Sequence, residues 1–166
     1  RVHDAPTLAK QETLREFLAT LGITMAKGGQ VRANSFNGIL ARAEDTPHQI
    51  MVNEMVLRSQ SQAIYSPENI GHFGLNLMKY AHFTSPIRRY ADLIVHRGLI
   101  RALDLGDDGL PKQFTAEVLA EIGTAISGAE RRAMAAERET IDRLIARHLS
   151  DRRANSPLVR RSACRR

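Results

Sequence analysis

Tryptophan is absent from this 166-residue chain, and cysteine occurs once, at Cys164. One cysteine excludes an intrachain disulfide and a zinc site built from several thiolates. It fits a reducing, cytoplasmic setting. Phenylalanine and tyrosine make up only 5% of the residues, too few for a broad aromatic platform. No apolar run approaches the roughly 18 residues that a membrane span requires, and the opening lacks the pattern of a secretory leader. A membrane partner is therefore not expected. Also missing is a dense aspartate cluster ahead of Asp104; Asp104, Asp107 and Asp108 themselves read as turn residues closing a helix. A two-metal phosphodiester hydrolase needs several carboxylates placed together, so no residue is assigned as a metal ligand. His72, His82 and His96 with Asp92 match neither a His-x-Glu nor a His-Glu-x-x-His spacing, and each reads more simply as a hydrogen-bonded structural histidine.

What is present is an average globular composition, 43% hydrophobic and 25% charged, of a length that suits one domain. The net charge of +6 resembles a nucleic-acid signal, but residues 1–151 carry 18 basic and 18 acidic side chains and sum to zero. The surplus is six arginines: Arg152, Arg153, Arg160, Arg161, Arg165 and Arg166. Residues 151–166 therefore read as an Arg-rich, disordered tail, or as an electrostatic arm for phosphates. Any nucleic-acid site within 1–150 must be local, built from a few placed residues.

The chain opens abruptly at Arg1-Val2-His3-Asp4 with no initiator Met. Thr7 caps a first helix to about Leu21, with Leu8, Leu14, Phe17, Leu18 and Leu21 on one stripe, and Gly22 stops it. Lys27-Gly28-Gly29 signals a turn in a loop over 24–33. Ser35 caps a short helix to about Ala43. Another runs from about Pro47 to Ala63, its apolar face carrying Ile50, Met51, Met55, Val56 and Leu57. Beyond Asp107-Asp108-Gly109 a long helical period extends from about Gln113 to Leu149, with Gly123 and Gly128 as points where it kinks or divides.

Residues 64–85 differ in character. Glycine, proline, histidine and aromatics crowd together, and four of the eight Phe and Tyr residues fall between Tyr65 and Phe83. Two short strands, about 72–76 and 80–84, or an irregular loop of equal length fit this segment. Tyr65, Phe73, Tyr80 and Phe83 suit either the core or the stacking of single-stranded bases. Then Ser85-Pro86 signals a helix start, with an expected run to about Leu105. Arg88 and Arg89 fall in its first turn, where a cation is locally unfavourable and free N–H groups favour anions. A phosphate is the natural partner. Arg88, Asp92 and His96 share one face, so Asp92 can orient Arg88, or the two form a surface ion pair. Ile87, Ala91, Ile94, Val95 and Leu99 form the core face. The fold class is mainly α within an α+β setting: helices with a small antiparallel β element around 64–85.

The segments Tyr65-Ser66-Pro67-Glu68-Asn69, Gly71-His72-Phe73-Gly74-Leu75, Tyr80-Ala81-His82-Phe83-Thr84-Ser85-Pro86-Ile87-Arg88-Arg89-Tyr90, Asp92 and His96-Arg97 resemble the ribonuclease R / ribonuclease II family. The likeness spans about residues 1–150 and matches the C-terminal portion of that family's catalytic RNB domain. It implies a processive 3′→5′ exoribonuclease that degrades single-stranded RNA to nucleoside 5′-monophosphates with Mg²⁺. The carboxylates that hold the metal lie, in the family, upstream of the matched region. The resemblance makes Arg88 the catalytic phosphate contact. It assigns His72, Phe73, Tyr80, His82, Ser85 and Arg89 to the RNA-binding surface, with Glu137 matched on a late helix.

Two departures stand against the family pattern. The aspartate-bearing half and the cold-shock-like modules are not in this sequence, and near Asp151 the pattern leaves the family's path toward an S1-type barrel. A truncated gene, a shifted frame or a separate subunit each accounts for this. The competing expectation is a catalytically incomplete RNA-binding or assembly module. A half-domain also exposes apolar surface, which implies self-association or association with the missing part.

Overall fold

The computed structural model describes residues 1–27 and 31–154, the last two by backbone alone. Five helices succeed one another: α1 (Leu8–Thr20), α2 (Ala33–Ala43), α3 (Gln49–Ser59), α4 (Tyr90–Leu103) and α5 (Ala116–Ala154). The fold is mainly helical, as expected. The chain divides into a first compact unit, Arg1–Thr124, and a second, Ala125–Arg166. Of the expected tail, Asp151–Ala154 continue α5, and 155–166 lie outside the described residues, as do Gly28 and Gly29 of the expected turn.

Helices α1–α3 form the hub of the first unit. The Thr7 hydroxyl accepts from Lys10 N at 3.4 Å, relieving one of the free N–H groups at the start of α1. Gly22 ends that helix with φ +71°, a conformation that favours glycine. Leu14 and Leu18 of α1, Phe36, Ile39 and Ala43 of α2, and Val52 and Val56 of α3 close one apolar core. The expected faces need two corrections. Leu8 is exposed on α1. On α3, which is shorter than expected at both ends, Ile50, Met51 and Leu57 are exposed, and the inward residue is Val52. Val52 and Val56 stand one turn apart, so the stripe that meets α1 and α2 is narrower than composition suggests.

The β element consists of isolated bridges among the described residues: Val2 with Ile64 and His72 with Leu77, both antiparallel, and His3 with His72, parallel. Of the two readings left open for 64–85, the irregular loop describes it better. A single 3₁₀ turn, Phe73–Leu75, takes the place of the first expected strand, and 80–84 belongs to no bridge.

Helix α5 is continuous across Gly123 and Gly128, so neither divides it. Gly123 serves close approach instead: a Cβ there would stand 2.6 Å from the Tyr65 carbonyl oxygen. In the second unit, Ile141, Leu144 and Ile145 keep the expected helical period but are exposed. No helix among the described residues is long and apolar enough to cross a membrane.

Candidate functional site

Extended chain at the start of the molecule pins the 64–77 loop. Val2 N donates to Ile64 O at 2.8 Å and Ile64 N returns to Val2 O at 2.9 Å. His3 N donates to Gly71 O at 3.1 Å, and Phe73 N donates to His3 O at 2.8 Å. Gly71 sits at φ +90°, and a Cβ on it would meet Leu77 O at 2.5 Å, so the loop can close here only on glycine. The His3 side chain joins the same knot. Its Nε2–H donates to Ser61 O at 2.7 Å, and its Nδ1 accepts from Gly74 N at 3.0 Å.

From this knot a continuous series of rings runs through the loop. Phe36 of the core meets Phe73 with centroids 6.0 Å apart, and Phe73 meets His3 at 6.2 Å. His3 meets His72 at 4.9 Å, His72 meets Tyr80 at 5.2 Å, and Tyr80 meets His82 at 5.8 Å. His82 meets Tyr65 at 5.5 Å, and its Nδ1 is hydrogen-bonded to the Tyr65 hydroxyl at 3.1 Å. The Arg1 guanidinium caps the series, 4.7 Å over the Tyr65 ring. Every one of these pairs is edge-to-face, the arrangement that ring quadrupoles favour. His72, Phe73, Tyr80 and His82, assigned by resemblance alone, are thus brought together.

The second feature of the site is Asp92, 0% exposed on the first turn of α4. Its Oδ1 accepts from Ser85 N and from Arg89 Nη2, both at 2.8 Å. Asp92 pairs with Arg89, not with Arg88 as the i, i+4 spacing suggests. The contact is single-handed: Asp92 Oδ2 and Arg89 Nε are buried without partners among the described residues. The expected helix start moves too. Ser85 O accepts from Arg88 N at 3.2 Å and from Arg89 N at 3.1 Å, closing one turn, but Arg89 is extended (φ −127°, ψ 114°) and α4 begins only at Tyr90. Arg88 therefore precedes the helix and lies outside its first turn. Its side chain is exposed, with no hydrogen bond or ion pair among the described residues. Ile87, expected in the core, is fully exposed on the same turn, and Leu99 is exposed on α4.

Electrostatics follow from this geometry. Burial alone would raise the Asp92 carboxyl, but hydrogen bonds from Arg89 and from Ser85 N–H, with the guanidinium charge, hold it below the usual carboxylate range. The same hydrogen bond raises Arg89 further. Burial lowers His72, reinforced by the neighbouring His3 and Arg1. Burial lowers His82 as well, reinforced by Arg89. Both imidazoles thus favour the neutral form near neutrality.

Of the residues assigned in advance, Ser85 serves through its backbone N–H. Arg89 is an internal strut and Arg88 the free cation. Glu137 is exposed on α5 in the second unit. Three features escaped local reading: the His3 knot, the Arg1–Tyr65 contact, and the stacking of Phe83 on His96. The first two join residues some 60 positions apart, where no periodicity can signal them. No group of three or more His, Cys, Asp or Glu side chains among the described residues is placed to hold a metal ion. The donors among the described residues do not fit Mg²⁺.

Comparison with known proteins adds a family frame. The RNB domain model matches residues 1–104. Ribonuclease R of Aquifex aeolicus is 43% identical over 152 residues, covering 92% of this chain and 21% of that protein. Ribonuclease R of Escherichia coli is 39% identical over 162 residues, covering 93% of this chain and 20% of that protein. The chain thus spans about a fifth of the length of these curated relatives. Among solved structures, apo Mycoplasma genitalium RNase R superposes with a TM-score of 0.78 at 31% identity, covering 92% of this chain and 24% of that one. The same enzyme in complex with ribose-methylated single-stranded RNA gives a TM-score of 0.77.

Proposed function

This chain belongs to the RNB domain family, and from that premise we propose that it is part of a 3′→5′ exoribonuclease that hydrolyses single-stranded RNA to nucleoside 5′-monophosphates. The observation that carries the reading is the division of labour between two adjacent arginines. Arg89 is committed to a buried carboxylate. Arg88 is exposed, has no partner among the described residues, and is held on a turn that the same carboxylate fixes through Ser85 N–H. A guanidinium with no internal partner to surrender is suited to bidentate contact with a phosphate.

In the proposed mechanism Arg88 neutralises charge that develops on the phosphoryl oxygens as water adds to phosphorus and the P–O3′ bond breaks, the shortened strand leaving with its 3′-oxygen and the phosphate staying on the released nucleotide. Asp92 and Arg89 act behind it by holding the turn, so the donor is preorganised before RNA arrives. The ring series from His72 to Tyr65 lines the approach of the strand. Activation of the attacking water belongs to no side chain described here. The proposal assigns Mg²⁺, and the carboxylates that hold it, to polypeptide outside these 166 residues.

Arg88→Ala in the intact protein is expected to lower single-turnover cleavage of a single-stranded oligomer by 10²-fold or more, with RNA affinity changed far less. Unchanged cleavage would remove Arg88 from the mechanism.

The lack of a metal-holding cluster among the described residues favours a second reading, an RNA-binding or assembly module with no activity of its own. The two separate on one assay: release of mononucleotides from single-stranded RNA, with Mg²⁺, by the intact protein that carries this chain. The module reading requires none, together with salt-sensitive binding.

A further inference from the structure

One ring pair differs from all the others. The six pairs of the series meet at interplanar angles of 64°, 80°, 88°, 76°, 85° and 85°. Phe83 and His96 instead lie parallel, 6° from coplanar, with centroids 4.2 Å apart. The pair is also tied by a hydrogen bond, His96 Nε2–H donating to the Phe83 carbonyl at 2.7 Å. Yet Phe83 is 46% exposed. An edge-to-face pair hides one ring edge in the face of another. A parallel pair takes up one face of each ring and can leave the other face of the outer ring flat and open.

The supports of this pair are those of the Arg88 turn. Asp92 and His96 stand one turn apart on α4 and grip the same short stretch, His96 through the Phe83 carbonyl and Asp92 through Ser85 N–H. The 83–88 segment, its backbone held from one helix face, thus displays a half-exposed aromatic ring at one end and, at the other, a guanidinium without a partner among the described residues. A nucleotide offers matching chemistry, a π-faced base and a phosphate. From this geometry we propose that the open face of Phe83 seats one nucleobase of the RNA strand, with His96 as the backing ring.

The inference rests on the exoribonuclease reading and adds a subsite to it. Stacking of this kind tolerates any base, because every base has a π-face. Phe83 therefore contributes grip and register along the strand, with no sequence preference. His96 acts as a positioning residue, holding the Phe83 ring flat.

The test uses the intact protein with divalent ions chelated, so that the strand is not cut. Single-stranded oligomers carry 2-aminopurine at successive positions, and both fluorescence and affinity are read. Wild-type protein is expected to quench one position strongly. Phe83→Tyr should keep that quenching and bind within about twofold. Phe83→Leu should abolish it and bind roughly tenfold more weakly, the effect of losing one base–aromatic stack. The proposal is overturned if Phe83→Leu retains both quenching and affinity, as it would were another part of the polypeptide seated on that ring. It is equally overturned if Phe83→Tyr loses as much as Phe83→Leu, since the aromatic face would then not be what matters. A wild-type protein that fails to bind any of the oligomers would instead sink the ribonuclease reading, and the subsite with it.

Discussion

The hub of α1–α3 and the 64–96 segment belong to one compact unit but invert each other's burial. In the hub the largest fully buried side chains are Leu14, Leu18, Ile39 and Val52, while the ionic side chains other than Arg15 stand outward. In the 64–96 segment the fully buried side chain is a carboxylate, Asp92, while Ile70, Leu77, Met78 and Ile87 stay exposed. Apolar burial is non-directional and tolerates sliding. A buried carboxylate is costly unless its hydrogen bonds are made, so it fixes the groups around it in one arrangement. The hub therefore supplies stability, and the 64–96 segment stores geometry, which is what a phosphate-binding turn needs.

The largest effect belongs to the hub. Leu18 is 0% exposed within the apolar core of α1–α3, so Leu18→Ala leaves a cavity worth about 2–5 kcal/mol. Urea unfolding should show that loss while single-turnover cleavage per folded molecule stays at the wild-type level. A cleavage defect matching the stability defect would erase the distinction between the two regions.

Asp92→Asn makes the opposite case. The amide keeps the shape and can still accept from Ser85 N, but it no longer balances the Arg89 guanidinium. The turn loosens and Arg88 loses its fixed position. Misplacement of a catalytic group by a fraction of an ångström is expected to lower turnover about tenfold or more. The sharper measurement is the double mutant. If Asp92 acts through Arg88, combining Asp92→Asn with Arg88→Ala adds little to Arg88→Ala alone. Fully multiplicative losses would show the two residues to be independent.

The contrast also governs what could be read from the sequence. The hub was legible because its signals are local: a threonine cap, a stop glycine, apolar residues at steps of three and four. Its errors, Leu8 and the outer face of α3, came from counting apolar residues without knowing which stripe the neighbours cover. The 64–96 segment was legible only as chemistry. The crowding of His, Tyr, Phe and Gly marked the place, and the family resemblance named most of the residues. The arrangement was not legible. Arg88 and Arg89 stand four and three residues before Asp92, and both spacings suit an ion pair on a helix. The choice fell to Arg89 because Asp92 also reaches back to Ser85 N, which leaves the chain at Arg89 extended and delays the helix to Tyr90. A Ser-Pro start signal cannot anticipate a carboxylate seven residues away. Nor does a helical period announce that His96 will lie flat on Phe83, thirteen positions earlier.

The smallest expected effect is a pH dependence, to which the 64–96 segment contributes two histidines. His72 and His82 are both held below the ordinary histidine value of about 6.5 in the fold. Below that value the unfolded chain binds protons that the folded chain refuses, so stability rises with pH across this interval. The contribution is complete above about pH 6.5 and fades as the pH falls toward the folded values. Protonating His72 also removes the Nδ1 lone pair that accepts from Leu75 N at 3.3 Å. Asp92 does not blur the measurement, because its carboxyl is held low and remains ionised through the window. Urea midpoints should therefore be lower at pH 5 than at pH 7.5. His72→Gln, which cannot titrate, should flatten part of that slope, whereas Leu18→Ala should lower the midpoint equally at both pH values. An unaltered slope in His72→Gln would remove His72 from the pH sensitivity, and an unaltered slope in a variant with both His72→Gln and His82→Gln would deny the 64–96 segment its separate electrostatic character.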